Sequence, residues 1–200
     1  MLLRDFTYQY GKHAMNTFIS KRVCVTGAIA IGTLMAASLM IFGRSAGTED
    51  ANTQLQQRMD RLEAAVQASE GVRAVKRLQY SYAHYLDSGL WNDLADLFTE
   101  NAEGQFPSGT VSGKDNLRKY FMDRAGRTTL GLAEGQLNVH LMMQPIITLG
   151  ANGTTAKAAW HEKAMLGQFG KSATWSGGIY ENDYALENGI WKISGVHFYE

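Results

Sequence analysis

Apolar residues along this chain repeat with two different periods, and the change of period divides it. One stretch near the N-terminus has no period at all. Residues 23–42, VCVTGAIAIGTLMAASLMIF, carry no charge and are about as long as a helix that crosses a bilayer. Residues 47–52 are polar and read as a flexible link. Leu55, Met59, Leu62 and Val66 then recur every three or four positions with charges between them, the mark of a short amphipathic helix. That stripe could pair with a copy of itself, but it spans too few heptads for spacing alone to specify a coiled coil. Ser69 is placed to cap a second helix over 69–86. At 100° per residue Val75, Leu78, Tyr82, Tyr85 and Leu86 share one face of it, with Tyr80 and His84 opposite. Ser88-Gly89 ends this helix, and its last turn can swing Asp87 toward the apolar side. A short helix over 91–98, a short strand over 103–106, a loop over 107–113 and a third helix over 114–124 come next.

Beyond a loop at 126–135 the period falls to two. Strands are expected over 136–149, 155–166, 173–186 and 190–199, divided by turns at Ala151-Asn152-Gly153, at 167–170 and at Glu187-Asn188-Gly189. The Gly177-Gly178 pair suits a bulge or bend. Helices first and a long-stranded antiparallel meander after them predict an α+β domain. In it a curved sheet carries the helices on one face and encloses a cavity between the two layers.

Composition narrows the function classes. The 200 residues hold 19 Lys and Arg against 19 Asp and Glu, without the basic excess of a nucleic-acid platform, so no nucleic-acid partner is expected. Cys24 is the sole cysteine, which excludes an intrachain disulfide and a cysteine metal cluster. No phosphate-binding G-x-x-x-x-G-K-[ST] loop, G-x-S-x-G elbow or pair of histidines at metal-ligand spacing occurs, so no cofactor and no metal are expected. At the other end of the chain, Lys21 and Arg22 precede the apolar stretch. The positive-inside tendency then leaves them in the cytoplasm and exports the residues beyond the stretch. The stretch is an uncleaved anchor, or the core of a secretory signal in which Met15 rather than Met1 is the start and MNTFISKR the basic leader. The GRSAG after it offers no clean A-x-A cleavage site, which favours the anchor. The chain therefore divides into a basic segment (1–22), an anchor or signal core (23–42), a linker with an amphipathic helix (43–68) and a globular domain (69–200). That domain is membrane-anchored and exported, or secreted or periplasmic if the signal is removed.

Four segments, YAHYLDSGLWNDLADLFTENAE, GTVSGKDNLRKYF, VHLMMQPIITLGANGTTAKAAW and GGIYENDYALENGIWKI, resemble the SnoaL-like branch of the nuclear transport factor 2-like cone fold. That branch is similar to scytalone dehydratase, bile-acid 7α-dehydratase and polyketide cyclases. The resemblance covers residues 62–200. It implies three helices and a cone-shaped curved antiparallel sheet around a pocket, a hydrophobic small molecule as ligand, and cofactor-independent dehydratase or isomerase chemistry. Members also occur without catalysis, as binders of apolar ligands or as domains that dimerise through the outer sheet face, where Trp175 would stand. Dehydratase members carry Tyr and Asp at the end of the first long helix and His on the first long strand; Tyr82, Asp87 and His140 match. A further dehydratase histidine has no counterpart in GGIYENDY, where Tyr180 or Glu181 takes its neighbourhood.

The chemistry implied is proton removal beside a carbonyl. Histidine supplies a base suited to neutral pH, a buried tyrosine hydroxyl a donor for the enolate oxygen, and a carboxylate the orientation of the imidazole. His140, Tyr82 and Asp87 fill these roles in that order. Strand alternation sets His140 with Met142 and Gln144 on one face and sets His197 with Trp191 and Ile193. It turns His161 outward with Lys157 and Lys163. Trp160, Met142, Tyr180 and His197 are the expected pocket lining. Glu162, Trp175 and Tyr184 are read as lining or ordinary core.

Overall fold

The structure, a computed structural model, describes residues 42–125 and 129–200. The stretch expected to anchor the chain or direct its export lies outside the described residues but for Phe42. Among the described residues no helix is long and apolar enough to cross a membrane. All described residues from 48 onward fall in one compact unit, Thr48–Glu200.

A single helix, α1 (Phe42–Ser88), replaces the two helices and the flexible link expected over 47–86. The residues that suggested a break are accommodated within it. Ser69 does not cap a new start; its hydroxyl donates to the Ala65 carbonyl one turn back, at 2.9 Å, a bond that serine makes inside helices. Residues 48–70 are exposed throughout, whereas Val75, Leu78, Tyr82 and Leu86 are buried. The inward face is the one that periodicity indicates, extended by Ala83 and by one polar residue. Gln79 lies on it, fully buried.

The helix ends in a Schellman turn. Leu90 N–H donates to the Tyr85 carbonyl at 2.9 Å and Gly89 N–H to the Leu86 carbonyl at 3.3 Å. Gly89 takes φ +66°, a conformation open to glycine at little cost. Then come α2 (Trp91–Ala95), β1 (Phe98–Phe106), β2 (Gly109–Ser112) and α3 (Lys114–Arg124). The strand expected at 103–106 starts earlier, and the expected loop over 107–113 contains β2, which pairs back on β1. The four long strands are β3 (Gln136–Leu149), β4 (Thr155–Gln168), β5 (Ser172–Glu187) and β6 (Ile190–Tyr199).

The six strands form one sheet in the order β2-β1-β6-β5-β4-β3. β3 to β6 make the antiparallel meander, but β1 runs parallel to β6, so the sheet is mixed. Its inner face packs on α1, α2 and α3 around Tyr82, Trp91, Phe98, Trp160, Tyr184 and Ile193. Burying side chains of this size is worth roughly 1.5–3 kcal/mol each.

Two bulges reverse the alternation of side chains. On β3 the pairing skips from Met143↔His161 to Ile146↔Ala159, with Gln144 at φ 49°. Gln144 is therefore exposed and does not share the inward face of His140 and Met142. On β6 the pairing skips from Tyr184↔Ile193 to Asp183↔Gly195, with Ser194 as the extra residue. Ile193, Val196 and Phe198 face the core, and His197 turns to the opposite side. The Gly177-Gly178 pair is no bulge, since the β4–β5 register runs through it unbroken. Gly178 instead makes room for Phe198; a Cβ there would lie 2.4 Å from that ring.

Candidate functional site

The Schellman turn fixes Asp87 against the sheet. One oxygen, Oδ1, accepts two hydrogen bonds from the same residue of β3: His140 backbone N–H at 2.9 Å and His140 Nδ1 at 2.7 Å. Next to it, Asn138 Nδ2 donates to the Leu86 carbonyl at 2.9 Å. The end of α1 is thus tied to β3 at two neighbouring inward positions. A carboxylate only accepts, so the neutral imidazole carries its proton on Nδ1 and keeps a lone pair on Nε2.

That lone pair faces Glu162 of β4, whose Oε1 lies 3.9 Å from Nε2. The gap exceeds hydrogen-bond length and admits a substrate atom or one bridging water. Glu162 is buried, at 6% exposure. Burial pushes its carboxyl above the usual carboxylate range, while His140 and the Tyr180 hydroxyl pull it partly back. Tyr180 OH donates to Glu162 Oε1 at 3.4 Å and lies 3.5 Å from Tyr82 OH. Burial raises both phenols well above the ordinary tyrosine value, so both stay protonated donors. The Tyr82 ring is fixed by edge contacts with Phe98, Phe121 and Tyr180.

These groups border a cavity of about 150 Å³ that opens to solvent and is lined also by Leu86, Phe106, Phe121 and Phe198 and by Arg124, Asn138 and Glu200. The three residues expected to carry the chemistry thus line or adjoin one cavity: His140 and Tyr82 border it and Asp87 holds His140 from behind. The expected lining needs correction. Tyr180 borders the cavity, but Trp160, Met142 and His197 do not. Trp160 and Met142 face inward at a deeper level. Trp160 Nε1 donates to Tyr184 OH at 3.0 Å, and Met142 Sδ accepts from Gln79 Nε2 at 3.8 Å. Gln79 Oε1 also accepts from Asn182 Nδ2 and Tyr184 OH, so that level of the interior is a buried polar network rather than a pocket wall, with Asn182 Oδ1 left without a protein partner among the described residues.

His197, reversed by the Ser194 bulge, borders a separate groove of about 570 Å³ on the outer face, with Glu103, Lys157, Glu181 and Asp183. There it meets Tyr199 OH at 3.0 Å. Of the two candidates for the missing histidine's neighbourhood, Tyr180 lies in the cavity and Glu181 on the outer face. His161 is exposed, as its alternation indicates. Glu162, read from the sequence as lining or ordinary core, lies in the lining; it shares the inward parity of Trp160 and Ala164, and a carboxylate among buried strand positions is itself a signal of more than packing. Among the described residues no group of His, Cys, Asp and Glu is arranged to hold a metal ion.

The sequence matches a family model, the SnoaL-like domain, over residues 67–197. The chain belongs to the SnoaL-like domain family. Its fold recurs in solved structures. A candidate scytalone dehydratase from Novosphingobium aromaticivorans is 20% identical, with a TM-score of 0.57 over 67% of this chain and 86% of that one. A nuclear transport factor 2-like protein with a cystatin-like fold, from the same organism, is 16% identical, with a TM-score of 0.54 over 68% and 86%. The association domain of C. elegans CaMKII is 12% identical, with a TM-score of 0.55 over 66% and 97%. Likenesses at this level of identity establish the fold of this SnoaL-like domain, and a fold alone does not assign an activity.

Proposed function

We propose that this SnoaL-like domain catalyses cofactor-independent elimination or isomerisation of a small, largely apolar carbonyl compound. The observation that carries the reading is the convergence of a carboxylate-held histidine, a second buried carboxyl and two protonated tyrosine hydroxyls on one cavity of mixed apolar and polar lining. His140 Nε2 removes the proton from the carbon beside the carbonyl. The electron pair of that C–H bond becomes the enolate, whose oxygen takes hydrogen bonds from Tyr82 and Tyr180. The enolate expels a β-hydroxyl, which leaves as water with a proton from Glu162. His140 then returns its proton to Glu162 through a water that bridges the 3.9 Å between them, and the site is restored. Without a β-hydroxyl, reprotonation at another carbon gives isomerisation. A cavity of about 150 Å³ accommodates about one six-membered ring, so the reacting part of the ligand is monocyclic and larger substrates project through the mouth.

The test is solvent exchange monitored by NMR. Single-ring ketones with and without a β-hydroxyl are incubated with the protein in D₂O. Wild type is expected to accelerate α-deuteration or loss of water, and His140→Ala to lower that rate by about 10²-fold or more. Ligands that bind with shifted resonances but exchange no faster than in buffer would leave the domain a binder of apolar molecules. An unchanged rate in His140→Ala would remove His140 as the base.

A further inference from the structure

The exposed half of α1 carries a heptad frame that becomes visible once the helix is known to be continuous. The a and d positions from 48 to 69 are Thr48, Asn52, Leu55, Met59, Leu62, Val66 and Ser69. Their apolar members stand 57%, 47%, 66% and 60% exposed, in the order Leu55, Met59, Leu62, Val66. Four large apolar side chains in one line on an otherwise polar, uncovered helix form a surface that water does not favour. A helix held only by its own hydrogen bonds is marginal in water.

We propose that residues 48–70 form a parallel two-stranded coiled coil with a second copy of this chain. Three features select that occupant. Leucine at both apolar d positions with Val66 at an a position suits two strands, and Asn52 at another a position fixes register at two strands. Arg58 stands at a g position and Glu63 at the next e position. In a parallel pair in register, each Arg58 faces Glu63 of the other copy, twice by symmetry. Neither residue has an ion-pair partner among the described residues. An antiparallel pair sets e against e and g against g, so Arg58 and Glu63 could not meet, and the e positions would set Glu49, Glu63 and Glu70 against one another. A membrane surface is the poorer partner, because the segment has two arginines against five acidic residues, and anionic lipid attracts the opposite balance.

The test uses the full-length chain with Cys24→Ser as background. Leu55→Cys is expected to form a 55–55 disulfide on mild oxidation, since matching d positions of a parallel pair lie within the roughly 7 Å that a disulfide spans. Sedimentation should show a dimer that Arg58→Glu or Glu63→Arg alone weakens about tenfold and that the two together restore. These residues touch nothing in the cavity, so the variants leave the fold and the proposed chemistry intact. A monomeric chain, a Leu55→Cys chain that does not cross-link, or a dimer indifferent to both charge reversals overturns the proposal; the last result would place the contact elsewhere on the molecule.

Discussion

Asp87 concentrates two bonds on one oxygen, and both go to His140. Asp87→Asn keeps the volume and removes the charge. Both bonds can survive it, since an amide oxygen still accepts, but the imidazole loses the negative charge that balances its own when it takes a proton. The expected outcome is a fall in turnover of about 10²–10⁴-fold with little change in KM, because Asp87 does not touch the ligand. Steady-state kinetics on a substrate found by the exchange assay would check this, and a loss confined to KM would contradict it. Glu162 makes a prediction about stability. Its carboxyl is raised in the folded protein, by burial first, so the folded state holds that proton more tightly than the unfolded chain does. Stability from this group is then complete below the unfolded pKa and declines as pH rises through the folded one. Glu162→Gln cannot ionise and lacks this slope. The melting temperature of the variant, relative to wild type, should rise as pH increases above the ordinary carboxylate value of about 4. A difference that is flat or falling with pH would mean that Glu162 is not held against ionisation.

At the scale of elements, the end of α1 does most to assemble the site. Gly89 lies in the left-handed region at φ +66°, and a Cβ there would sit 2.6 Å from the Gly131 backbone. Gly89→Ala therefore strains the turn and collides with a loop that cannot yield like a side chain. The expected cost is about 1–3 kcal/mol, with loss of the downfield His140 Nδ1–H resonance as Asp87 is displaced. An alanine variant of unchanged midpoint that keeps the resonance would show that the turn does not hold Asp87. Much of this scale was legible in the sequence. The inward face of α1, the limits of α3, β3 and β6 and the two Asn-Gly hairpin turns come from periodicity and turn chemistry. The features that escaped have physical causes. The break expected near Ser69 is absent because a helix tolerates a polar, capping-type residue whose hydroxyl bonds one turn back. His197 and Gln144 were misplaced because one extra residue in each strand inverts every later side chain, and a bulge leaves no sure trace in a single sequence. Trp160 and Met142 were rightly turned inward, but alternation gives the face of a strand and not the depth along it. The meeting of Tyr82, Asp87 and His140 was legible only through the family resemblance. The parity of Glu162 was open to view and carried its own message.

For the whole compact unit, the described residues divide by burial. The cavity, the polar network under it and the aromatic core are all built from residue 71 onward, where Gly71 and then Val75 become buried. From 48 to 70 every residue is exposed. The family match begins at 67, close to the same point. Residues 48–66 bury almost no apolar surface, so beginning the chain at Gln67 rather than at Thr48 should leave the hydrophobic term that stabilises the domain nearly unchanged. The shorter chain's thermal midpoint is expected within about 3 °C of a chain beginning at Thr48 and kept monomeric by Leu55→Asp with Leu62→Asp, corresponding to less than about 1 kcal/mol. Its proposed exchange activity should be intact. If the helix arm instead steadies the end of α1 through its own continuity, the shortened chain will melt earlier, and Asp87, near that end, will report it through a weakened His140 resonance. The comparison must be made with the monomeric variant, because wild type held by a paired arm gains concentration-dependent stability by mass action. A midpoint that rises with protein concentration in wild type, and in neither of the other two chains, is the outcome expected if the arm associates and the SnoaL-like domain folds alone.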